Sequence, residues 1–129
     1  MTVMVVHLVL LLLAVLDLAP PPGYPADFPY LPTHHGLTGQ GAAYESRELC
    51  TVIPLAYDQR MATLRTRMRR ALVDAGWTIR RNTRHAIDGR TMGHLIEARR
   101  GNYMVLAIFT PRGWRTTLQI YDCGLLRRS

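Results

Sequence analysis

The sequence predicts a small α+β domain that follows an apolar N-terminus and a proline-rich linker. Residues 1–19 are almost continuously apolar, and residues 20–46 hold six of the eight prolines. Over residues 47–129, one segment with helical periodicity stands among segments that alternate like β-strands, in the order β-α-β-β-β-β. This order is typical of an antiparallel meander with one helix packed on its apolar face.

The N-terminal run, VMVVHLVLLLLAVLDL, is long enough for a short transmembrane helix. No Lys or Arg precedes it, and cleavage after Ala19 would leave Asp17 where a signal peptide has a small neutral residue. We therefore expect an uncleaved, single-pass anchor in the cell membrane over residues 1–19, with a removed signal peptide as the alternative. Because acidic residues follow the run, the folded domain is expected outside the cytoplasm, in a bacterial periplasm.

His7 is an ionisable residue within this run, which makes it a weak candidate for binding a haem or a porphyrin-type pigment. Its position near the N-terminus lets the imidazole ring reach the lipid headgroups, and no second ligand accompanies it. We therefore expect no cofactor.

The linker over residues 20–46 is expected to be extended, because closely spaced prolines favour polyproline II. Aromatic side chains are interleaved with these prolines, and such residues suit a membrane interface or a partner protein. The partner-docking candidates in the linker are Tyr24, Phe28 and Tyr30.

The first strand and the helix are predicted next. Residues 49–53 are β-branched and are followed by Pro54, which predicts a short strand that ends there. Apolar residues then recur at spacings of three and four, which predicts a helix ending at Gly76. The apolar stripe consists of Tyr57, Met61, Leu64, Met68, Leu72 and Ala75.

Four more strands are predicted between turn sequences such as Asp88-Gly89. Their ranges are 77–84, 92–99, 103–109 and 114–121. The third of them is the most apolar, which predicts a central position in the sheet. In the last strand, Trp114 is expected on the same face as Leu118, because their spacing is even.

Cys50 and Cys123 stand at the two ends of the predicted domain, at strand ends that can be neighbours at one edge of the sheet. We expect a disulfide between them, because a small exported domain has a limited core and gains much from such a bond. The alternative is a pair of buried thiols in a cytosolic domain. Neither cysteine has the CxxC spacing of a metal or redox site.

The basic residues are unevenly distributed. All 16 are Arg and lie at or after residue 47, where only six acids accompany them, so this region carries a net charge of +10. Such an imbalance favours an anionic partner, and the alternative is a set of solvated cations in a chain without Lys. The remaining partner-docking candidates, on the polar face of the predicted helix, are Arg60, Arg65, Arg67, Arg69 and Arg70.

The sequence lacks a recognisable constellation for catalysis or metal binding. His34 and His35 are adjacent and cannot converge on one metal ion from an extended strand. His85 and His94 bracket the first predicted hairpin, across which they could face each other, but a cross-strand pair alone is not a site. Both are expected to be solvated. We therefore expect neither an enzyme nor a metal site.

These features favour a non-catalytic accessory subunit of a larger integral membrane protein complex, such as an electron-transport or photosynthetic one, in contact with membrane lipids. One alternative is a secreted, disulfide-closed domain that binds an anionic ligand or envelope component. Another is an Arg-rich binder of nucleic acid or lipid surfaces that faces the cytosol. Nucleic acid is disfavoured, because the sequence has no helix-turn-helix, RNP or finger signature.

Overall fold

A computed structural model of the chain describes residues 19–32, 50–87 and 89–125. The expected anchor lies outside these residues except for Ala19. Within the described part of the chain, no helix has the length and apolar character needed to cross a bilayer.

The fold class is α+β, as predicted, with one helix on a five-stranded antiparallel sheet. The elements are β1 (Thr51–Tyr57), α1 (Met61–Asp74), β2 (Thr78–Ala86), β3 (Met92–Arg100), β4 (Tyr103–Arg112) and β5 (Arg115–Leu125). The strand order is β1-β5-β4-β3-β2, so β2 to β5 form a meander and β1 adds to the last strand. The central position predicted for β4 from its apolar sequence is confirmed.

β1 continues through Pro54, where the sequence predicted its end. Pro54 pairs with Gln119 of β5, and β1 is an edge strand of the described sheet. Proline is tolerated at a sheet edge, because its missing N–H costs no hydrogen bond when it points away from the sheet. The strand therefore reaches Tyr57, which the sequence had assigned to the helical stripe.

α1 forms because its apolar residues recur on one face, and the middle of that face is fully buried. The buried residues are Leu64, Met68 and Leu72. At the ends of the face, Met61 is half-buried, and Ala75, which the sequence placed on the stripe, is the exposed C-cap residue. The helix ends in a Schellman motif at Gly76, whose φ of 84° costs glycine little. The Gly76 amide donates to the Val73 carbonyl (3.1 Å), and the Trp77 amide donates to the Leu72 carbonyl (2.9 Å). The predicted end of the helix is confirmed.

The core lies between α1 and one face of the sheet. The sheet contributes alternate residues of β1, β4 and β5 to this core. Among them, Leu55, Phe109 and Leu118 are fully buried. Trp114 does not share this environment, because it lies in the β4–β5 turn and its side chain is 55% exposed. The face predicted for Trp114 is therefore wrong, since the strand begins only at the following residue.

Residues 19–32 pack against this core, where the sequence predicted an extended linker. Phe28 and Leu31 belong to the core cluster and are 4% and 6% exposed. The Phe28 ring meets the Trp77 ring edge-on, with 5.2 Å between the ring centroids. This described part of the linker is thus a component of the folded domain.

Hydrogen bonds fix the same segment in place. Trp77 Nε1 donates to the Asp27 carbonyl (3.0 Å), and the Tyr57 hydroxyl donates to the Leu31 carbonyl (2.8 Å). Burial raises the pKa of Tyr57 above its usual value, so this hydroxyl stays a donor. Prolines do not prevent this packing, because the bonds use carbonyl groups as acceptors and need no proline N–H.

Gly93 in β3 occupies a position that has no room for a side chain. A Cβ atom there would overlap the Phe109 carbonyl oxygen and lie 2.8 Å from the side chain of Ile87. We expect Gly93→Ala to lower the free energy of unfolding by about 1–3 kcal/mol, because backbone of β4 would have to move. Denaturant unfolding at equilibrium measures this loss.

Gly89→Ala provides the control for that substitution, because no atom lies within 4 Å of the Cβ position at Gly89. Its effect should stay within about 0.5 kcal/mol, as is usual for open surface positions. A Gly93→Ala protein as stable as the Gly89→Ala protein would contradict the close approach of the two strands.

Candidate anion-binding site

A cleft of about 320 Å³ lies between α1 and the β2 side of the sheet. The residues that line it are Arg65, Thr66 and Arg69 of α1, Asn82 of β2 and His94 of β3. Its walls therefore carry two guanidinium groups, a hydroxyl, an amide and an imidazole. None of these lining side chains is a carboxylate.

A β-bulge in β2 places Asn82 in this cleft. Ile79 pairs with Ala98 and Arg81 with Glu97, so β2 advances two residues while β3 advances one. The register beyond the bulge sets Asn82 opposite the buried Ile96. Asn82 thus lies on the face of the sheet that α1 covers. Without the bulge, strict alternation from Ile79 would have placed Asn82 on the opposite face.

His94 is buried at the floor of the cleft, with 6% of its surface exposed. The expectation of a solvated His94 is therefore wrong. Its position in β3 puts it opposite Phe109 of the central strand, and the two rings lie 6.5 Å apart between centroids. His85 pairs with Gly93, so the two histidines of this hairpin are not cross-strand partners.

The partners of His94 determine its tautomer. Arg65 Nη1 lies 3.0 Å from Nδ1, and Asn82 Oδ1 is hydrogen-bonded to Nε2. Because a guanidinium only donates, Nδ1 must accept, and the ring proton is therefore on Nε2 and is donated to Asn82. Burial, and after it the positive charge of Arg65, hold the pKa of His94 below its usual value. The imidazole is thus neutral at physiological pH.

The arginines of α1 are distributed over more than one face of the helix. Arg65 and Arg69 lie one turn apart beside β2 and line the cleft. Arg67 lies on the other flank, where its charge acts on the Tyr57 hydroxyl against the effect of burial. Arg70 points to solvent, and Arg60 is the N-cap residue, without a side-chain capping bond. The single cationic face that the sequence predicted is therefore divided.

None of these five arginines pairs with a carboxylate among the described residues. The ion pairs in that part of the chain involve other arginines. Those pairs are Arg81 and Arg99 with Glu97, and Arg115 with Asp58. Both oxygens of Glu97 are engaged, each at 3.0 Å from an arginine Nε. The charge of these five arginines is therefore not offset by an ion pair within the described part of the chain.

The aromatic docking candidates contact the domain itself. Phe28 is buried in the core, and Tyr24 and Tyr30 are half-buried beside it. Tyr24 donates its hydroxyl to the Pro29 carbonyl at 2.6 Å, and its ring meets that of Tyr30 edge-on at 5.4 Å. The Phe28 ring is therefore closed to a partner, and the two tyrosines keep only part of their surface for one.

The remaining histidine candidates, His7, His34 and His35, lie outside the described residues. Over the ranges that are described, no group of three or more His, Cys, Asp or Glu side chains could hold a metal ion. Sequence reasoning did not identify Asn82 and His94 as site residues, because a single Asn in one strand and a single His in the next form no recognisable binding motif.

Comparison with known protein families, with characterised proteins and with solved structures finds no match for this chain. The function must therefore be argued from the geometry and charge of the domain.

Proposed function

We propose that this chain is a non-catalytic accessory subunit that docks, through the arginines of α1, on an anionic surface of a larger membrane protein complex. The observation that carries the proposal is a set of guanidinium groups on one short helix that have no carboxylate partner among the described residues. Arg65 and Arg69, four residues apart, repel each other by a few tenths of a kcal/mol in an isolated helix. An anionic partner would attract both guanidinium groups and so offset this repulsion.

Two further features support an exported, membrane-attached subunit. The Cys50–Cys123 disulfide is typical of proteins that mature outside the cytosol. It also counts against the cytosol-facing nucleic-acid or lipid-surface binder. The apolar run over residues 1–19 supplies the expected anchor.

The second candidate function is a secreted, disulfide-closed domain that binds an anionic ligand, and the cleft favours it. A cleft lined by two guanidinium groups suits a small anion as well as an acidic protein surface. The mature N-terminus distinguishes the candidates, because a chain that begins near residue 20 would have lost its anchor.

We expect an Arg67→Gln/Arg70→Gln double variant to co-purify with less of its membrane partner than the wild-type chain does. Both residues lie outside the cleft lining, so the change weakens docking without altering that site. The difference from the wild-type chain should be largest at low salt and should shrink as the salt concentration rises, because salt screens exposed charges. Pull-down of the tagged full chain from native membranes in mild detergent, over a salt series, measures it.

The matched control is Arg100→Gln/Arg112→Gln, which removes the same charge from exposed strand ends. Neither double variant should change the free energy of unfolding by more than about 0.5 kcal/mol. If the α1 variant retains its partner as fully as the control at every salt concentration, α1 is a solvated helix and the docking proposal fails.

A further inference from the structure

We infer that the cleft between α1 and β2 binds a tetrahedral dianionic oxyanion, the chemical group of inorganic phosphate and of phosphate monoesters. The inference rests on the proposed function, because it specifies the anionic group that the cleft-side arginines of α1 recognise. The residues concerned are Arg65, Arg69, Asn82 and His94. Arg67 and Arg70, which lie outside the cleft, remain the residues that contact the partner protein in the proposed function.

The hydrogen bonds within the cleft leave donors, and few acceptors, for a ligand. Nδ1 of His94 accepts from Arg65, and Oδ1 of Asn82 accepts from His94, so both acceptors are already used. The Asn82 amide retains its two N–H donors, and each guanidinium retains several more. Thr66 already donates its hydroxyl to the Ala62 carbonyl at 3.0 Å. A ligand rich in acceptor oxygens therefore matches this surface.

Charge and shape restrict the class of ligand that fits the cleft. Two guanidinium groups without a carboxylate partner among the described residues match a charge of −2. A planar carboxylate is satisfied by one guanidinium fork, whereas the oxygens of a tetrahedral group can bridge two forks one helical turn apart. A cleft of about 320 Å³ also leaves room for an organic group attached to the phosphate.

His94 acts as a positioning residue. Its ring lies between Arg65 and Asn82, and it fixes the orientation of both through the neutral tautomer. Because His94 is buried against the central strand, these two donors are held in place before a ligand arrives. Such preorganisation raises affinity by reducing the entropy lost on binding.

The test is a titration of the oxidised full chain, in nonionic detergent, with sodium phosphate at constant ionic strength. NMR should show saturable shifts of the Asn82 side-chain amide and of the His94 ring, and sodium chloride should not produce them. The decisive variant is Asn82→Asp, which keeps the acceptor for His94 but replaces the amide donors with a negative charge. It should weaken phosphate binding at least about tenfold while the chain stays folded.

Two double variants of α1 with equal net charge complete the test. Arg65→Gln/Arg69→Gln should lose at least about tenfold in phosphate affinity, because each removed guanidinium contributed charge-assisted hydrogen bonds. Arg67→Gln/Arg70→Gln should stay within about twofold of wild type, since only screened long-range attraction is lost. Equal losses in both variants, or a wild-type affinity in Asn82→Asp, would overturn the inference.

Comparison of inorganic phosphate with short-chain phosphatidic acid in the same micelles identifies the source of the group. Tighter binding of phosphatidic acid indicates a lipid headgroup, and equal binding indicates a soluble phosphate.

The failures of the two proposals can be told apart. Salt-sensitive docking without a phosphate response defeats only the cleft assignment, and a phosphate response without docking defeats only the accessory-subunit proposal.

Discussion

Phe28→Ala should lower the free energy of unfolding by about 3–5 kcal/mol, although Phe28 lies in a segment whose sequence resembles a linker. The substitution empties a buried site and removes the edge-on contact with Trp77. Truncation of a buried aromatic ring loses both the transfer free energy and the packing around the cavity. Equilibrium unfolding of the oxidised protein in denaturant measures the change.

Trp114→Ala is the matched control, because it also removes an aromatic ring but from an exposed turn. Its effect should be within about 0.5 kcal/mol. A loss below about 1 kcal/mol for Phe28→Ala would mean that residues 19–32 contribute little to the fold. The extended linker predicted from the sequence would then be the better description of that segment.

Removal of the disulfide, by a Cys50→Ala/Cys123→Ala double substitution, should cost about 2–5 kcal/mol of stability. The bond joins positions 73 residues apart and lies where β1 and β5 pair. In the chain-entropy account, the bond closes a loop of this length in the unfolded chain and so reduces its conformational entropy. This raises the free energy of unfolding by about 4 kcal/mol. Unfolding measured with and without a thiol reductant tests this prediction.

The reductant provides an internal control for that experiment. Wild-type protein should fall to the stability of the double variant when it is reduced, and the double variant should not respond. A reduced wild-type protein with unchanged stability would show that pairing of β1 with β5 does not depend on the bond.

Most of the fold was predictable, because periodicity reports how a segment is buried. The stripe around Leu64 and Met68 predicted the helix, and the apolar sequence of β4 predicted its central position. Gly76 predicted the end of the helix through its tolerance of positive φ. The disulfide was predicted from the positions of two cysteines at opposite ends of the domain.

The remaining features depend on tertiary contacts that leave no local pattern. Proline density over residues 20–46 predicts extended backbone, but it does not reveal that Trp77 and Tyr57 offer hydrogen bonds to that backbone. The cleft was missed for a related reason. A bulge of one residue decides which face Asn82 occupies, and simple alternation cannot anticipate it.

The two edges of the described sheet differ, and the difference bears on self-association. An unprotected edge strand offers unpaired N–H and C=O groups to a second molecule and so seeds aggregation. Pro54 removes a donor from the β1 edge. On the other edge, β2 is distorted by its bulge and carries the exposed residues Arg80, Arg81 and Arg84. Although Arg81 is paired with Glu97, an identical strand approaching that edge would meet like charges at Arg80 and Arg84, which disfavours pairing of two β2 edges.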